Sequence, residues 1–170
     1  MTAAHLIEQY GDALAHNLGH HVLTAAQELC GALAERGELP DGVTPERLLP
    51  ALLSLRATLE LMAVEKRHGT AAHDALLAAM RRYYGRTLLA RGDFLTGIRA
   101  AHETMRRSSD ARDWPRLHAE ALLGTREPEH ALFHTALVYG LRRGDAIADV
   151  LDVNLDASAT DVGAGAGPPA

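Results

Sequence analysis

The feature that most constrains this chain is a set of apolar residues that recurs every three or four positions through the first fifth of its length. The members are Ile7, Tyr10, Leu14, Leu18, Val22, Ala25, Leu29 and Leu33. Because an α-helix has about 3.6 residues per turn, this spacing places their side chains along one side of a single helix. We predict a helix from about Ala3 to Arg36 that ends at Gly37, since glycine readily adopts the left-handed backbone that closes a helix.

Proline, glycine and capping residues divide the rest of the chain into further helical segments. Thr44 and Pro45 are typical of a helix start, but Pro50 lies too deep for a first turn. We therefore predict a short turn and then a helix over 50–68, followed by helices over 70–91, 94–107, 114–123 and 128–143. The residues predicted to face inward are Leu52, Leu55, Leu59, Met62, Leu76, Leu77, Met80, Tyr84, Leu88, Phe94, Ile98, Ala101, Met105, Leu137 and Leu141.

Composition and loop length together predict an all-α fold. Aromatic residues make up only 4% of the chain, and much of its 47% hydrophobic content is Ala and Leu, which favours helix over sheet. The short loops predict a compact bundle of about six helices in antiparallel hairpins. We assign residues 1–155 to one α-helical domain. Residues 156–170, rich in Gly, Ala and Pro, are predicted to form a flexible tail.

Charge and cysteine content limit the classes of function. The net charge of −5 gives no electrostatic reason to expect nucleic-acid binding. Cys30 is the only cysteine, so the chain cannot form an internal disulfide. No signal-peptide pattern opens the sequence, and no apolar run is long enough to cross a membrane. We expect a cytoplasmic protein without a membrane partner.

The middle of the chain resembles one tetratricopeptide hairpin over residues 83–105. In "YYGRTLLARGDFLTGIRAAHETM", Gly85 matches the helix-packing glycine, the run 92–94 matches the turn, and Gly97 matches the small residue at the helix crossing. Arg81 and Ser108 depart from the family pattern, which has an aromatic residue and a proline at those points. The resemblance implies a hairpin of the kind used in protein-interaction modules.

Histidines cluster in the first helix, in "HNLGHH" at residues 16–21. With a turn of about 100° per residue, His16 and His20 lie opposite the apolar stripe, whereas His21 lies on its flank. Two histidines four positions apart can bind one metal ion. The low-priority candidate ligands are therefore His16 and His20, together with a second such pair, His130 and His134. Neither pair has the acidic partner of a zinc motif, so we predict no cofactor.

Two further patterns in the sequence contain histidine. The Glu-x-x-His runs 65–68 and 127–130 fit the pattern of carboxylate-bridged di-iron bundles, but both lie at predicted helix ends. The run 14–40, "LAHNLGHHVLTAAQELCGALAERGELP", resembles the first helix of a histidine-kinase dimerisation hairpin. That resemblance implies His16 as a phosphoacceptor, although Asn17 and His21 replace the acidic residue and proline of the family pattern.

The sequence leaves several functions open. The run 126–141, "REPEHALFHTALVYGL", resembles the Pro-Asp-His motif of helical chaperones that mature molybdenum-cofactor redox enzymes, with Glu129 in place of the aspartate. We expect a non-catalytic protein-interaction or regulatory module that binds another protein or itself as a homodimer. The alternatives are histidine phosphotransfer through His16, a maturation chaperone, and a helical-bundle enzyme or a bundle that binds a metal or small molecule. A catalytic or ligand-binding site inside the bundle would require histidines such as His73, His102 or His118 to converge with Glu60 or Glu103.

Overall fold

The computed structural model of the protein describes residues 1–39, 41–86, 94–107, 110, 113 and 145–164, with the backbone alone at 51, 94, 104 and 158–164. All regular secondary structure in these ranges is α-helical, which confirms the all-α class. The helices are α1 (Ala3–Glu35), α2 (Pro45–His68), α3 (Thr70–Tyr84), α4 (Phe94–Arg107) and α5 (Ala146–Ala164). The helices predicted over 114–123 and 128–143 lie outside the described residues.

The long first helix forms as its apolar period predicts. The hydroxyl of Thr2 accepts a hydrogen bond from the backbone N–H of His5 and caps the helix start. At the other end, Gly37 adopts a φ of 68°. The buried residues follow the predicted stripe at Ile7, Leu18, Val22, Leu29 and Leu33. Leu14 and Ala25 are half-buried, whereas Tyr10, at the edge of the stripe, is 53% exposed.

The second helix begins five residues earlier than predicted. Thr44 caps it and Pro45 is its first residue, as the sequence indicates, but the helix continues through Pro50 without a break. Proline lacks the N–H that would bond to the carbonyl four residues earlier, which here belongs to Glu46. Both Glu46 and Pro50 are exposed, so water can satisfy that carbonyl and the proline is tolerated.

Helix α2 lies at the centre of the described fold. It contacts each of the other four helices, and it is buried on nearly all sides between Leu48 and Leu61. A helix that is apolar all round belongs in a core, and the run "LLPALLSLRATLELMAV" fits this rule. The prediction of a single inward stripe was therefore too narrow. Of its members, Leu52 and Leu55 are buried, Leu59 is half-buried and Met62 is 39% exposed.

Two close helix crossings, α1 with α3 and α2 with α4, depend on glycine. A Cβ added to Gly11 of α1 would lie 2.5 Å from the Cβ of Ala79 in α3. A Cβ added to Gly97 of α4 would overlap the hydroxyl of Ser54 in α2. The predicted inward residues of α4, Ile98, Ala101 and Met105, are buried, and those of α3 include buried Leu76, Met80 and Tyr84 with half-buried Leu77.

Helix α3 ends earlier than predicted. Its last residue is Tyr84, and Gly85 and Arg86 form a turn, because glycine is a poor helix former. Leu88 and positions 92 and 93 of the tetratricopeptide-like turn lie outside the described residues, and Phe94, described by its backbone alone, is the first residue of α4. Contacts between α1 and α3 advance together along both helices, from Gly11 and Ala79 to Ala15 and Tyr84. The two helices therefore run in the same direction, as do the first and third members of an up-down arrangement.

Helix α5 extends into the segment that the sequence predicted to be a flexible tail. The helix runs from Ala146 to Ala164, so the flexible tail expected from residue 156 does not begin there. Residues 156–162 contain no proline or glycine, and their alanines favour continuation of the helix. Ile147, Ala148 and Leu151 are buried against the core. Within the described residues, no helix combines the length and apolar character needed to span a membrane.

Candidate functional site

The outer side of α1 carries a continuous surface without formal charge. We call this surface the uncharged α1 face. Its members are the exposed residues of α1 between positions 9 and 27, namely Gln9, Tyr10, Ala13, His16, Asn17, His20, His21 and Gln27. At about 100° per residue, they occupy one sector of roughly 140° around the helix axis. Exposed Glu8 and Glu28 bound the face at its two ends.

Asp12 is the only charged residue of α1 between positions 9 and 27, and an ion pair balances its charge. Asp12 is half-buried beside the face and accepts hydrogen bonds from the guanidinium of Arg82 in α3, at 2.9 Å from Nε and 2.7 Å from Nη2. Both hydrogen bonds end on the same carboxylate oxygen, Oδ1, and both side chains are accessible to water, so the pair contributes little stability but balances the charge. The edge of the uncharged α1 face is thus neutralised by a salt bridge between helices.

The ring of His16 is held by a tyrosine of α3. Nδ1 of His16 lies 2.6 Å from the hydroxyl of Tyr83, and the two rings meet edge to face with centroids 5.8 Å apart. Tyr83 in turn packs edge to face on Tyr84 at 5.4 Å. The hydroxyl of buried Tyr84 donates to the carbonyl of Ala15 at 2.6 Å. This series of contacts fixes the orientation of an imidazole that remains exposed.

The other two histidines of the cluster are also exposed. His20 lies on the outer side of α1 with His16, as the helical count predicts. His21, predicted as a flank residue, is exposed as well, and its ring centroid is 6.3 Å from that of His20. The outward orientation of His16 and His20 is therefore what the sequence indicates.

The structure does not assemble a metal site from the candidate ligands that it describes. Within the described ranges, no group of three or more His, Cys, Asp or Glu residues is placed to hold an ion. The Glu-x-x-His run of α2 lies at the helix end, where His68 approaches Asp152 at 3.2 Å and Glu65 is exposed. His118, His130 and His134, and the second Glu-x-x-His run, lie outside the described residues.

The residues proposed for an enzyme site do not converge among those described. Glu60 is fully buried, but its carboxylate binds the start of α5, not a histidine. Half-buried His73 contacts Asp74 at 2.9 Å. Burial lowers the pKa of His102, and the charges of His73 and Arg106 lower it further. Glu103 is exposed and bonded to Arg107, so it does not join a buried site.

A buried ion pair was missed by the sequence reasoning. Nη2 of Arg56 donates to Glu60 at 3.0 Å, one turn along α2, and both side chains lie in the core. The Glu60 carboxylate also accepts from the backbone N–H groups of Ala146 and Ile147, at 3.2 and 2.8 Å. Burial raises the pKa of Glu60, and the hydrogen bond from Ile147 and the charge of Arg56 oppose that rise. The sequence feature that could have indicated this ion pair is an arginine followed four residues later by a glutamate inside an apolar run.

Arg67 completes the polar contact between α2 and α5. Its guanidinium donates to Asp145 at 2.8 Å, Asp149 at 2.5 Å and Asp152 at 3.1 Å. The hydrogen bond that Arg67 donates to Asp149 is the largest cause that raises the pKa of Arg67, and the bond to Asp152 and the charges of Asp149 and Asp145 add to it. Because all four side chains are accessible to water, the cluster fixes the position of α5 more than it adds stability.

Cys30 is a core residue and not a reactive surface thiol. The helical count places it about 120° from the stripe centre, yet it is buried, and burial followed by the charge of Glu46 raises its pKa. The buried positions of α1 drift around the axis from Leu6 near the start to Cys30 near the end. Such a drift arises when neighbouring helices twist about each other.

Comparison of the chain with protein-family models, with curated proteins and with solved structures found no match.

Proposed function

We propose that the protein is a non-catalytic protein-interaction or regulatory module, and that the uncharged α1 face is its contact surface. The observation that supports this function is the depletion of charge on a long exposed helix. Charged residues make up 23% of the chain, yet the exposed positions of α1 between Gln9 and Gln27 include none. Interface cores are depleted of charge in this way, because burying a charge without a partner is costly.

The composition of the face also fits a contact surface. Tyr10 is 53% exposed, and tyrosine is enriched in interfaces because it combines a large apolar ring with a hydrogen-bonding tip. Histidine, asparagine and glutamine offer neutral donors and acceptors along the rest of the face. The rings nearest its centre are already ordered by the contact of His16 with Tyr83, so binding would cost little side-chain entropy.

A second copy of the chain is the partner that this surface fits best. In a twofold-symmetric dimer the same patch of both copies meets, so charged groups near the axis would oppose their own copies. The chain has a net charge of −5, so two copies carry charge of the same sign and repel each other overall. The uncharged α1 face avoids this repulsion. A strip about one helix wide buries less than a standard interface, so the self-association is expected to be weak and reversible.

Matched alanine-to-arginine variants test this proposal. Ala13 lies on the uncharged α1 face, and Ala78 is exposed on α3. We expect sedimentation equilibrium to show concentration-dependent self-association of the wild type, weakened at least about tenfold by Ala13→Arg and unchanged by Ala78→Arg. Circular dichroism checks that both variants fold. A wild type that stays monomeric at millimolar concentration, or equal effects of both variants, would contradict the proposal.

Phosphotransfer through His16 is a second candidate function, favoured by its bond to Tyr83. If Nδ1 keeps its proton and donates to the tyrosine oxygen, Nε2 carries the lone pair and is the nucleophile. This nitrogen would attack a phosphoryl group, form a P–N bond and displace the donor as its leaving group. Treatment with phosphoramidate should then add one acid-labile phosphoryl group by intact mass. His16→Gln should abolish the gain and His20→Gln should keep it; the reverse pattern would exclude His16.

A further inference from the structure

The outward histidine pair of α1 has the placement of half a metal site. His16 and His20 are four residues apart in the middle of a 33-residue helix, far from its fraying ends. Both are exposed, and one helical turn separates them by about 6 Å along the axis. Imidazoles at this spacing can bind one ion together, and they suit zinc and its neighbours in the first transition row. The pair therefore provides two ligands.

Tyr83 gives His16 the support that metal-binding histidines usually have. Such a histidine commonly donates its other ring N–H to an oxygen, which fixes the ring and leaves the second nitrogen free for the ion. The 2.6 Å contact of Nδ1 with the Tyr83 hydroxyl supplies that oxygen, and Nε2 is then the metal-binding atom. Tyr83 is itself ordered by Tyr84, whose hydroxyl bonds to the carbonyl of Ala15.

The described part of one chain does not complete the coordination. Zinc in a closed site takes four ligands in a tetrahedron, and no third His, Cys, Asp or Glu of the described ranges joins the pair. Asp12, the carboxylate one turn before His16, is held by Arg82. A twofold-related copy would supply two more imidazoles, provided that the two α1 helices can meet. The uncharged α1 face permits this approach.

We propose that His16 and His20 form half of a zinc site that a second copy of the chain completes, with one ion for two chains. This inference rests on the self-association proposed above. Each copy has a net charge of −5, so a divalent cation at the contact also reduces the repulsion between copies. Zinc would then strengthen an intrinsically weak dimer by an amount set by its own binding.

Zinc titration of the untagged, chelator-treated protein tests this inference. Sedimentation velocity with half an equivalent of zinc should convert the wild type to dimer, and calorimetry should give one ion for two chains. His16→Ala and His20→Ala should each abolish the zinc effect. His5→Ala, on the same helix outside the face, should retain it, as should the double variant His130→Ala/His134→Ala. Cobalt should give the visible absorption of a tetrahedral ion.

Tyr83→Phe tests the positioning role separately. It leaves both histidines in place, and we expect zinc affinity to fall by about ten- to a hundredfold without a change in stoichiometry. Binding of one zinc per monomer, or a zinc-induced dimer that survives loss of either histidine, would overturn the metal site. If zinc-free self-association persists in His16→Ala while zinc has no effect on the wild type, the metal site fails and the proposed function stands. If the chain dimerises only with zinc, and only when both histidines are present, the metal site stands and the proposed zinc-free self-association fails.

Discussion

At the scale of single residues, Tyr84 connects the core to the candidate surface. Its ring is completely buried, its hydroxyl bonds to the Ala15 carbonyl on α1, and its face supports Tyr83, which holds His16. Burial raises the pKa of Tyr84, and the neighbouring Tyr83 raises it further. Burial also raises the pKa of the Cys30 thiol, near the other end of α1. Ionisation of either group therefore opposes folding.

The raised pKa values of Cys30 and Tyr84 predict that the fold loses stability at alkaline pH. A group whose pKa is higher in the folded than in the unfolded state contributes stability that is present below its unfolded pKa and declines above it. We expect the free energy of unfolding to fall from about pH 8.5 for Cys30 and from about pH 10 for Tyr84. Urea titrations of the wild type and Tyr84→Phe measure this difference.

The Tyr84→Phe variant should lose about 1–2 kcal/mol at neutral pH, because the Ala15 carbonyl loses its buried donor. Its stability should then decline less than that of the wild type above pH 10. A variant that follows the wild-type alkaline profile would show that Tyr84 is not the titrating group.

At the scale of helices, glycines decide how closely neighbours pack. Gly11 meets Ala79 where α1 crosses α3, whereas Gly31, in the same helix, has nothing within 4 Å of an added Cβ. We expect Gly11→Ala to destabilise the fold by about 1–3 kcal/mol through overpacking. Gly31→Ala should stabilise it by about 0.5–1 kcal/mol through helix propensity. Thermal and urea unfolding measure the change in stability of both variants. Changes of the same sign would contradict the close approach of Gly11 to Ala79.

The contact of α2 with α5 depends on Glu60. Removing its carboxylate takes two acceptors from the start of α5 and leaves the charge of Arg56 in the core without that partner. We expect Glu60→Ala to cost about 3–5 kcal/mol, and exposed Glu65→Ala in the same helix to cost less than about 0.5 kcal/mol. Hydrogen exchange at Ala146 and Ile147 should accelerate only in the first variant. Unchanged protection would show that Glu60 does not hold α5.

The sequence predicts helices better than it predicts their burial. The period of α1 locates that helix closely because one side faces the core through many turns. The burial of Cys30 was missed because a fixed angle per residue ignores the twist of neighbouring helices. Pro50 was overrated as a helix breaker because the exposure of Pro50 and Glu46, which lets water satisfy the Glu46 carbonyl, is a tertiary property. The Glu60 contact joins residues 60 and 147, and no local pattern reports such a pairing.

At the scale of the whole molecule, a central helix leaves the outer helices free to present surfaces. Helix α2 contacts the other four described helices, so the outer side of α1 need not contribute to the core. A single charged residue, Asp12, occurs between positions 9 and 27, and this depletion was visible in the sequence. Only the structure shows that the uncharged positions form an exposed surface. It also shows that Asp12 is paired with Arg82.

If copies of the chain meet through the uncharged α1 face, as proposed, a cysteine placed on that face should form a disulfide with its own copy. The only native cysteine, Cys30, is buried and should stay inert, so Asn17→Cys places one reactive thiol on the face. We expect rapid oxidative cross-linking of this variant at concentrations where control Lys66→Cys, exposed on α2, remains monomeric. Equal cross-linking from both positions, or none from Asn17→Cys, would contradict the claim.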